Sequence, residues 1–177
     1  MPTTWVIPDT HFHHANIARY CGRPEDFTES IIGHWRKRVG PADLVIHLGD
    51  VIFSSAGSTL AEIMGQLPGT KVLVRGNHDG HPQEWWRERG FAIVVNEMVI
   101  GDVLFTHIPA KSLPAGCVMN VCGHVHNNPI DISIKHDALD FHPWHRVLAL
   151  EEMGYSPRPL TEVVAGRWHR KDLTGGV

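Results

Sequence analysis

The chain of 177 residues carries a net charge of −3 and is 42% hydrophobic and 20% charged. At roughly 150 residues per domain this is one domain of ordinary globular make-up, which excludes a disordered, fibrous or generally basic nucleic-acid-binding chain. Three irregularly spaced cysteines (Cys21, Cys117, Cys122), no apolar run of membrane-spanning length and no secretory pattern in the opening residues predict a reducing, cytoplasmic setting away from membranes.

Trp5-Val6-Ile7 is a short apolar run predicted as the first strand, with polar residues from Asp9 onward. Glu25 to Val39 places Phe27, Ile31, Ile32, Trp35 and Val39 at helical spacing. Leu44 to Leu48 reads as a buried strand stopped by Gly49-Asp50, and Thr59 to Leu67 as a helix ended by Pro68-Gly69. Lys71 to Val74 is a third strand, followed by Gly76-Asn77-His78-Asp79 and a helix over His81 to Arg89. Phe91–Val95, Met98–Ile100 and Val103–Thr106 read as short strands, the last two joined by a two-residue hairpin at Gly101-Asp102. Cys117–Cys122 and Ile130–Ile134 are further strand candidates. The expected organisation is an α/β domain over 1–153, helical in its first half and mostly β in its second. A tail over 154–177, rich in Pro and Gly, is expected to be loosely packed or partly disordered.

Fourteen histidines are spread from His11 to His169, well above ordinary usage. Several stand where strands end. Successive apolar runs deliver Asp9-Thr10-His11, Gly49-Asp50, Gly76-Asn77-His78-Asp79, His107 and Gly123-His124-Val125-His126. In open α/β sheets ligands bind beyond the carboxyl ends of the strands, so five such ends can converge on one crevice. Asp9, His11, Asp50, Asn77, His107, His124 and His126 offer oxygen and imidazole nitrogen without thiolate, a set suited to Mn²⁺, Zn²⁺, Fe²⁺ or Co²⁺. Seven ligands exceed one tetrahedral ion and suit two ions that share a carboxylate, roughly 4 Å apart, as in metal-assisted phosphoryl chemistry. With neutral imidazoles required, metal binding is expected to weaken below about pH 6.

In this order the blocks D-x-H, G-D, G-N-H-D, H and G-H-x-H resemble those of the calcineurin-like metallophosphoesterases, across Asp9 to His126. The resemblance implies a two-layer β-sandwich of mixed sheets flanked by helices. It also implies a dinuclear centre with a metal-bridging hydroxide that hydrolyses phosphodiesters and, secondarily, monoesters. By the family pattern Asp9, His11 and His126 would hold one ion, Asn77, His107 and His124 the other, and Asp50 would bridge them. The two divalent ions would be Mn²⁺ ahead of Zn²⁺, Fe²⁺, Co²⁺ or Ni²⁺. His78 matches the catalytic histidine that protonates the leaving oxygen. Asp9 to Ile17, followed by Arg23-Pro24, is similar to a small, cap-free bacterial and phage branch with D-T-H-F-G-H-x-N-I and R-P; here His13 stands in place of Gly.

His14, Asn16 and Arg23 are candidate phosphate or leaving-group contacts facing the crevice. Asp79 is expected to orient loop amides or a histidine, Cys122 to be inert core, and Trp85-Trp86 to pack a helix face. His136, His142 and His145 are read as surface or locally bonded residues. Gly49-Asp50 is followed by Val51-Ile52-Phe53 rather than the D-R-G of protein phosphatases, and the short, acidic chain predicts no stable duplex nucleic-acid binding. The expected substrate is a small or flexible phosphodiester. The alternative is a metal-binding scaffold of the same fold that has lost its chemistry.

Overall fold

The computed structural model describes residues 1–52, 57–127 and 139–170; the strand expected at Ile130–Ile134 and His136 lie outside them. In chain order the elements are β1 (Thr4–Ile7), α1 (Ala15–Cys21), α2 (Phe27–Arg38), β2 (Leu44–His47), α3 (Gly57–Gln66), β3 (Thr70–Val74) and α4 (Gln83–Arg87). There follow β4 (Ile93–Val95), β5 (Met98–Ile100), β6 (Val103–Phe105), β7 (Met119–Cys122), β8 (His145–Val147), β9 (Arg158–Pro159) and α5 (Leu160–Val164).

The strands form two mixed sheets, ordered β4-β3-β2-β1-β9 and β5-β6-β7-β8. In the first, β1 to β4 are parallel and β9 runs antiparallel to β1. In the second, β6, β7 and β8 are parallel, and β5 folds back on β6 through the predicted hairpin, pairing Ile100 with Val103.

The period of two along the central strands divides the core. Trp5, Ile7, Val45 and Leu73 face a cluster built with Phe27, Ile31 and Trp35 of α2 and Leu60, Ile63 and Met64 of α3. Their neighbours Val6, Ile46, Leu48 and Val74 face Val103, Phe105 and Val121 of the second sheet. Helices therefore cover one face of the first sheet and the second sheet covers the other, a packing of sheet on sheet about 10 Å thick. Helix α2 buries its i, i+4, i+8 stripe. It also carries Arg36, Lys37 and Arg38 in its last turn, where the helix dipole is negative.

The tail corrects an expectation. Arg158–Pro159 pairs with Trp5 and Val6 of β1, Val163 of α5 is fully buried between the sheets, and Arg170 is 4% exposed. Residues 154–170 are thus packed structure. The prolines that suggested a loop sit where the sheet ends, and an edge strand tolerates a residue without an amide hydrogen. Residues 171–177 lie outside the described part.

Candidate metal centre

All five expected blocks lie at the carboxyl ends of parallel strands: after β1, β2 and β3 in the first sheet, and after β6 and β7 in the second. The loops continue the strand ladders beyond the sheet. Asp9 donates its amide to Gly49 O (3.1 Å), His11 to Asp50 O (3.0 Å), Phe12 to Val51 O (2.9 Å) and Gly123 to His107 O (3.0 Å). Asp79 pins the next loop to these, accepting from the amides of Asp50 (2.7 Å), Val51 (3.1 Å) and Gly76 (2.8 Å). It orients loop amides, as expected, and its charge is spent on them.

His47 does similar work from inside the sheet. Its Nδ1 accepts from the Gly49 amide (3.1 Å), so Nε2 carries the hydrogen toward Thr10 Oγ1 (2.9 Å), which in turn donates to Val51 O. Burial, with a lesser push from His107, drives its pKa down to about 3 against the pull of Asp50, and the ring stays neutral.

Each of the two site carboxylates divides its oxygens. Asp9 Oδ2 accepts from the His124 amide (3.0 Å), and Asp50 Oδ1 from the His78 amide (3.0 Å). The other oxygens face the histidines. Asp9 gathers with His11 and His126, and Asp50 with His107 and His124; in each group the ligand atoms lie within 4.8 Å of one another. Asp50 Oδ2 lies 3.4 Å from His107 Nε2 in its own group and 3.7 Å from His11 Nε2 in the other. Asn77 Oδ1 joins the second group, 2.9 Å from His107 Nε2.

Hydrogen bonds behind the rings select which nitrogens point inward. His107 Nδ1 donates to Leu48 O (2.7 Å), leaving Nε2 toward Asn77, His124 and Asp50. His126 Nδ1 donates to Glu151 Oε1 (3.2 Å), which leaves its Nε2 for the first group. A carboxylate or carbonyl behind an imidazole is the usual device for fixing a metal ligand's tautomer.

The loops are held in costly shapes. Asp9 (φ 49°), His11 (44°), His13 (56°), Asp50 (54°), His124 (72°) and His126 (50°) all lie in the left-handed region. Each costs a non-glycine residue roughly 1–2 kcal/mol, and such strain persists only where the surroundings over-determine it. Glycine is required where these loops touch the carboxylates: a Cβ on Gly76 would lie 2.1 Å from Asp50 Oδ1, and one on Gly123 2.5 Å from Asp9 Oδ2.

The electrostatics fit divalent cations. Burial raises Asp9 to about 6, against the pull of His126 and His107. Asp50, despite burial, is held well below the usual range by its hydrogen bond to His107 and the charges of His107 and His11. Burial would lower both His107 and His126, but the facing carboxylates win. His107 is pushed up to about 9, chiefly by Asp50 and Asp9, and His126 to about 10, by Asp9, Cys21 and Glu151. Without metal these rings hold protons where positive charge is wanted. Asp9 Oδ1 and both nitrogens of His11 are buried with no hydrogen-bond partner among the described residues, as expected of atoms whose partner is an ion. Oxygen and imidazole donors around shared carboxylates suit divalent metals.

The remaining expectations divide. His14 stands at the crevice, its ring 5.6 Å from that of His11. Asn16 is exposed on α1, and nothing among the described residues ties it to the site. Arg23 is a correction: its side chain is fully buried, bonded to Glu151 Oε1 (2.9 and 2.8 Å), Thr10 O (2.9 Å) and Asp9 O (2.8 Å). It clamps the strained Asp9–His11 loop and does not face the crevice. The left-handed φ of His13 explains why the resembling branch has glycine there. His145 is locally bonded, accepting from the His142 amide (2.9 Å), but it is fully buried rather than on the surface and its ring also reaches Ala110 O (3.0 Å). Trp86 packs in the core while Trp85 stacks on His81 and under Arg89. Cys122 is buried core, its thiol pushed far up by burial. Glu151 and Cys21, which group with His126, escaped the sequence reading, since neither stands in a motif.

The profile of the calcineurin-like phosphoesterase family matches residues 2–171, nearly the whole chain, and the chain belongs to that family. It is 42% identical over 84 residues to an uncharacterized protein of Methanocaldococcus jannaschii, covering 45% of this chain and 48% of that protein. It is 35% identical over 91 residues to the gene 66 protein of Mycobacterium phage L5, covering 46% and 42%. The matches thus span about half the length of these curated relatives. A crystal structure of a protein of unknown function from Aquifex aeolicus superimposes with a TM-score of 0.73 at 25% identity, over 92% of this chain and 98% of that one. The nuclease MPE of Pseudomonas putida shares the fold, with a TM-score of 0.50 at 19% identity over 70% and 61% of the two chains. Divalent-metal-dependent hydrolysis of phosphate esters is the chemistry of the family.

Proposed function

We propose that this calcineurin-like phosphoesterase hydrolyses phosphodiesters, and monoesters less well, at a dinuclear divalent-metal centre. The observation that carries the reading is the place of Asp50 Oδ2 between the two ligand groups, 3.7 Å from His11 and 3.4 Å from His107. Asp9, His11 and His126 would hold one ion and Asn77, His107 and His124 the other, with Asp50 between them. Mn²⁺ is the first candidate, ahead of Zn²⁺, Fe²⁺, Co²⁺ or Ni²⁺. Bound there, the ions supply Lewis acidity to the phosphate oxygens and lower the pKa of the attacking water.

The chain's own groups do the rest. Leu48 O and Glu151 keep His107 and His126 in the ligating tautomer. His78 has its amide fixed on Asp50 Oδ1, while its ring, 42% exposed and 4.0 Å from Asp50 Oδ2, borders both the centre and solvent. That position suits a general acid that hands a proton to the leaving oxygen. His14, beside His11, would contact the phosphate. The described residues contain no helix long and apolar enough to cross a membrane; three free thiols agree with a cytoplasmic setting. The substrate would be a small or flexible diester.

The test loads purified protein with Mn²⁺, counts metal by elemental analysis and follows bis(p-nitrophenyl) phosphate. Two equivalents per chain and turnover lost on chelation are expected. At most one equivalent would overturn the dinuclear reading. Two equivalents without turnover on any ester would leave a silent metal-binding scaffold.

A further inference from the structure

The end of β3 carries a cation that the metal centre does not use. Arg75 is half-buried, and its amide donates to Val95 O at the end of β4 (2.9 Å). Its Nε and one terminal nitrogen both donate to Asn96 Oδ1, at 3.0 and 2.6 Å. Asn96 is the one side-chain partner of this guanidinium among the described residues. A neutral amide thus orients the fork without neutralising it, and the remaining N–H groups are left for an acceptor.

Arg75 forms the wall of a cavity of about 410 Å³, shared with Asn96, Thr106, Ile108 and two proposed metal ligands, Asn77 and His107. The volume falls in the range of roughly 300–1,000 Å³ typical of small-molecule sites. The carboxylate that also lines it, Asp79, has both oxygens occupied by three loop amides and does not meet Arg75. Thr106 spends its hydroxyl hydrogen on Ile108 O (2.6 Å), while Ile108, 42% exposed, offers an apolar surface. The cavity therefore brings together two proposed metal ligands, the apolar side chain of Ile108 and an oriented cation that meets no carboxylate among the described residues.

We propose that this cavity binds a second phosphate of the substrate, one nucleoside away from the phosphate at the metal ligands. The substrate class is then a nucleotide diester bearing a further phosphate, such as the end of a single strand, rather than an isolated diester. The inference rests on the phosphoesterase reading above. An arginine held in its fork geometry matches phosphate oxygens in a bidentate way. If Arg75 served only to tie β3 to β4, its loss would weaken all ligands alike.

The Mn²⁺-loaded protein is titrated calorimetrically with thymidine 3′,5′-bisphosphate and with the 3′- and 5′-monophosphates. The bisphosphate should bind at least about 10-fold more tightly than either monophosphate. Arg75→Gln should bring that ratio close to one, and Asn96→Ala should reduce it partway by releasing the guanidinium. A wild-type ratio within twofold, or a ratio unchanged in Arg75→Gln, overturns the proposal; the wild-type ratio decides even if the variant does not fold. Turnover of thymidine 3′-(p-nitrophenyl phosphate), measured in parallel, separates the two readings. Turnover with a ratio near one sinks this site alone. A preserved ratio without turnover sinks the catalytic reading and leaves the site standing.

Discussion

Glu151→Gln tests the least obvious part of the centre. Oε1 of this one carboxylate accepts from Arg23 Nε (2.9 Å), from a second Arg23 nitrogen (2.8 Å) and from His126 Nδ1 (3.2 Å). The side chains involved are buried, Arg23 0% and Glu151 4% exposed. Burial opposes its ionisation, yet His126 and Arg23 hold it at about 2. Glutamine keeps the shape and an acceptor oxygen but removes the charge. Breaking a buried pair by removing one partner costs about 3–5 kcal/mol, since Arg23 is left uncompensated. A chain with about 5–15 kcal/mol of stability should then remain folded but much weakened. At the centre, His126 loses the carboxylate that orients it, which should lower affinity for the Asp9–His11–His126 ion by about 10–100-fold. At 1.36 kcal/mol per decade this is about 1.4–2.7 kcal/mol. Urea unfolding measures the first effect. Calorimetric Mn²⁺ titration measures the second, with the Asp50–Asn77–His107–His124 ion as internal reference. A folded variant that binds both ions as the wild type does would falsify the orienting role, and lost stability alone would make Glu151 purely structural.

Asp50→Asn should be the most damaging ligand change, because Oδ2 serves both groups; near-normal turnover with two tightly held ions would refute its bridging role. His78→Ala should keep both metals and lose about 10²–10⁴-fold on an alkyl or nucleotide diester but less on a nitrophenyl ester, whose leaving group needs no proton; equal losses on both would sink the general acid. His107 and His126 have folded pKa values raised to about 9 and 10, so the stability they lend the metal-free protein is full below about pH 6.5 and lost as pH rises through 9 to 10. Metal must displace those protons, so affinity should already fall below about pH 9, well above the pH 6 that unperturbed histidine suggests. About two protons should be released at pH 7.5, measurable by calorimetry in buffers of different ionisation enthalpy; zero release would contradict the assignment. His13→Gly should stabilise by about 0.5–1 kcal/mol by removing a left-handed β-carbon, raising Tm by a few degrees; a lower Tm would mean that the imidazole makes a contact worth more than the strain.

The sequence by itself determined the candidate ligands and most of the first sheet. The seven candidate ligands follow five apolar strands, so identity and placement are both local properties; which face of Trp5, Val6 and Ile7 meets helices and which meets the second sheet is decided by packing. The ordered blocks made the family legible for the same reason. What surrounds the ligands was decided only by tertiary structure. Arg23 and Glu151 are 128 residues apart, and nothing near either announces the other; a buried ion pair is chosen by which segments the fold brings together. The same holds for Arg75 and Asn96, joined only because β3 and β4 are adjacent. Pro159 was misleading because local propensity sees a strand breaker, whereas the fold supplies an edge where the missing amide hydrogen has no partner to lose. The expected pH range of metal binding moved for a related reason: an imidazole's intrinsic pKa is local, but the field of Asp9, Asp50 and Glu151 exists only once three distant carboxylates are packed around these rings.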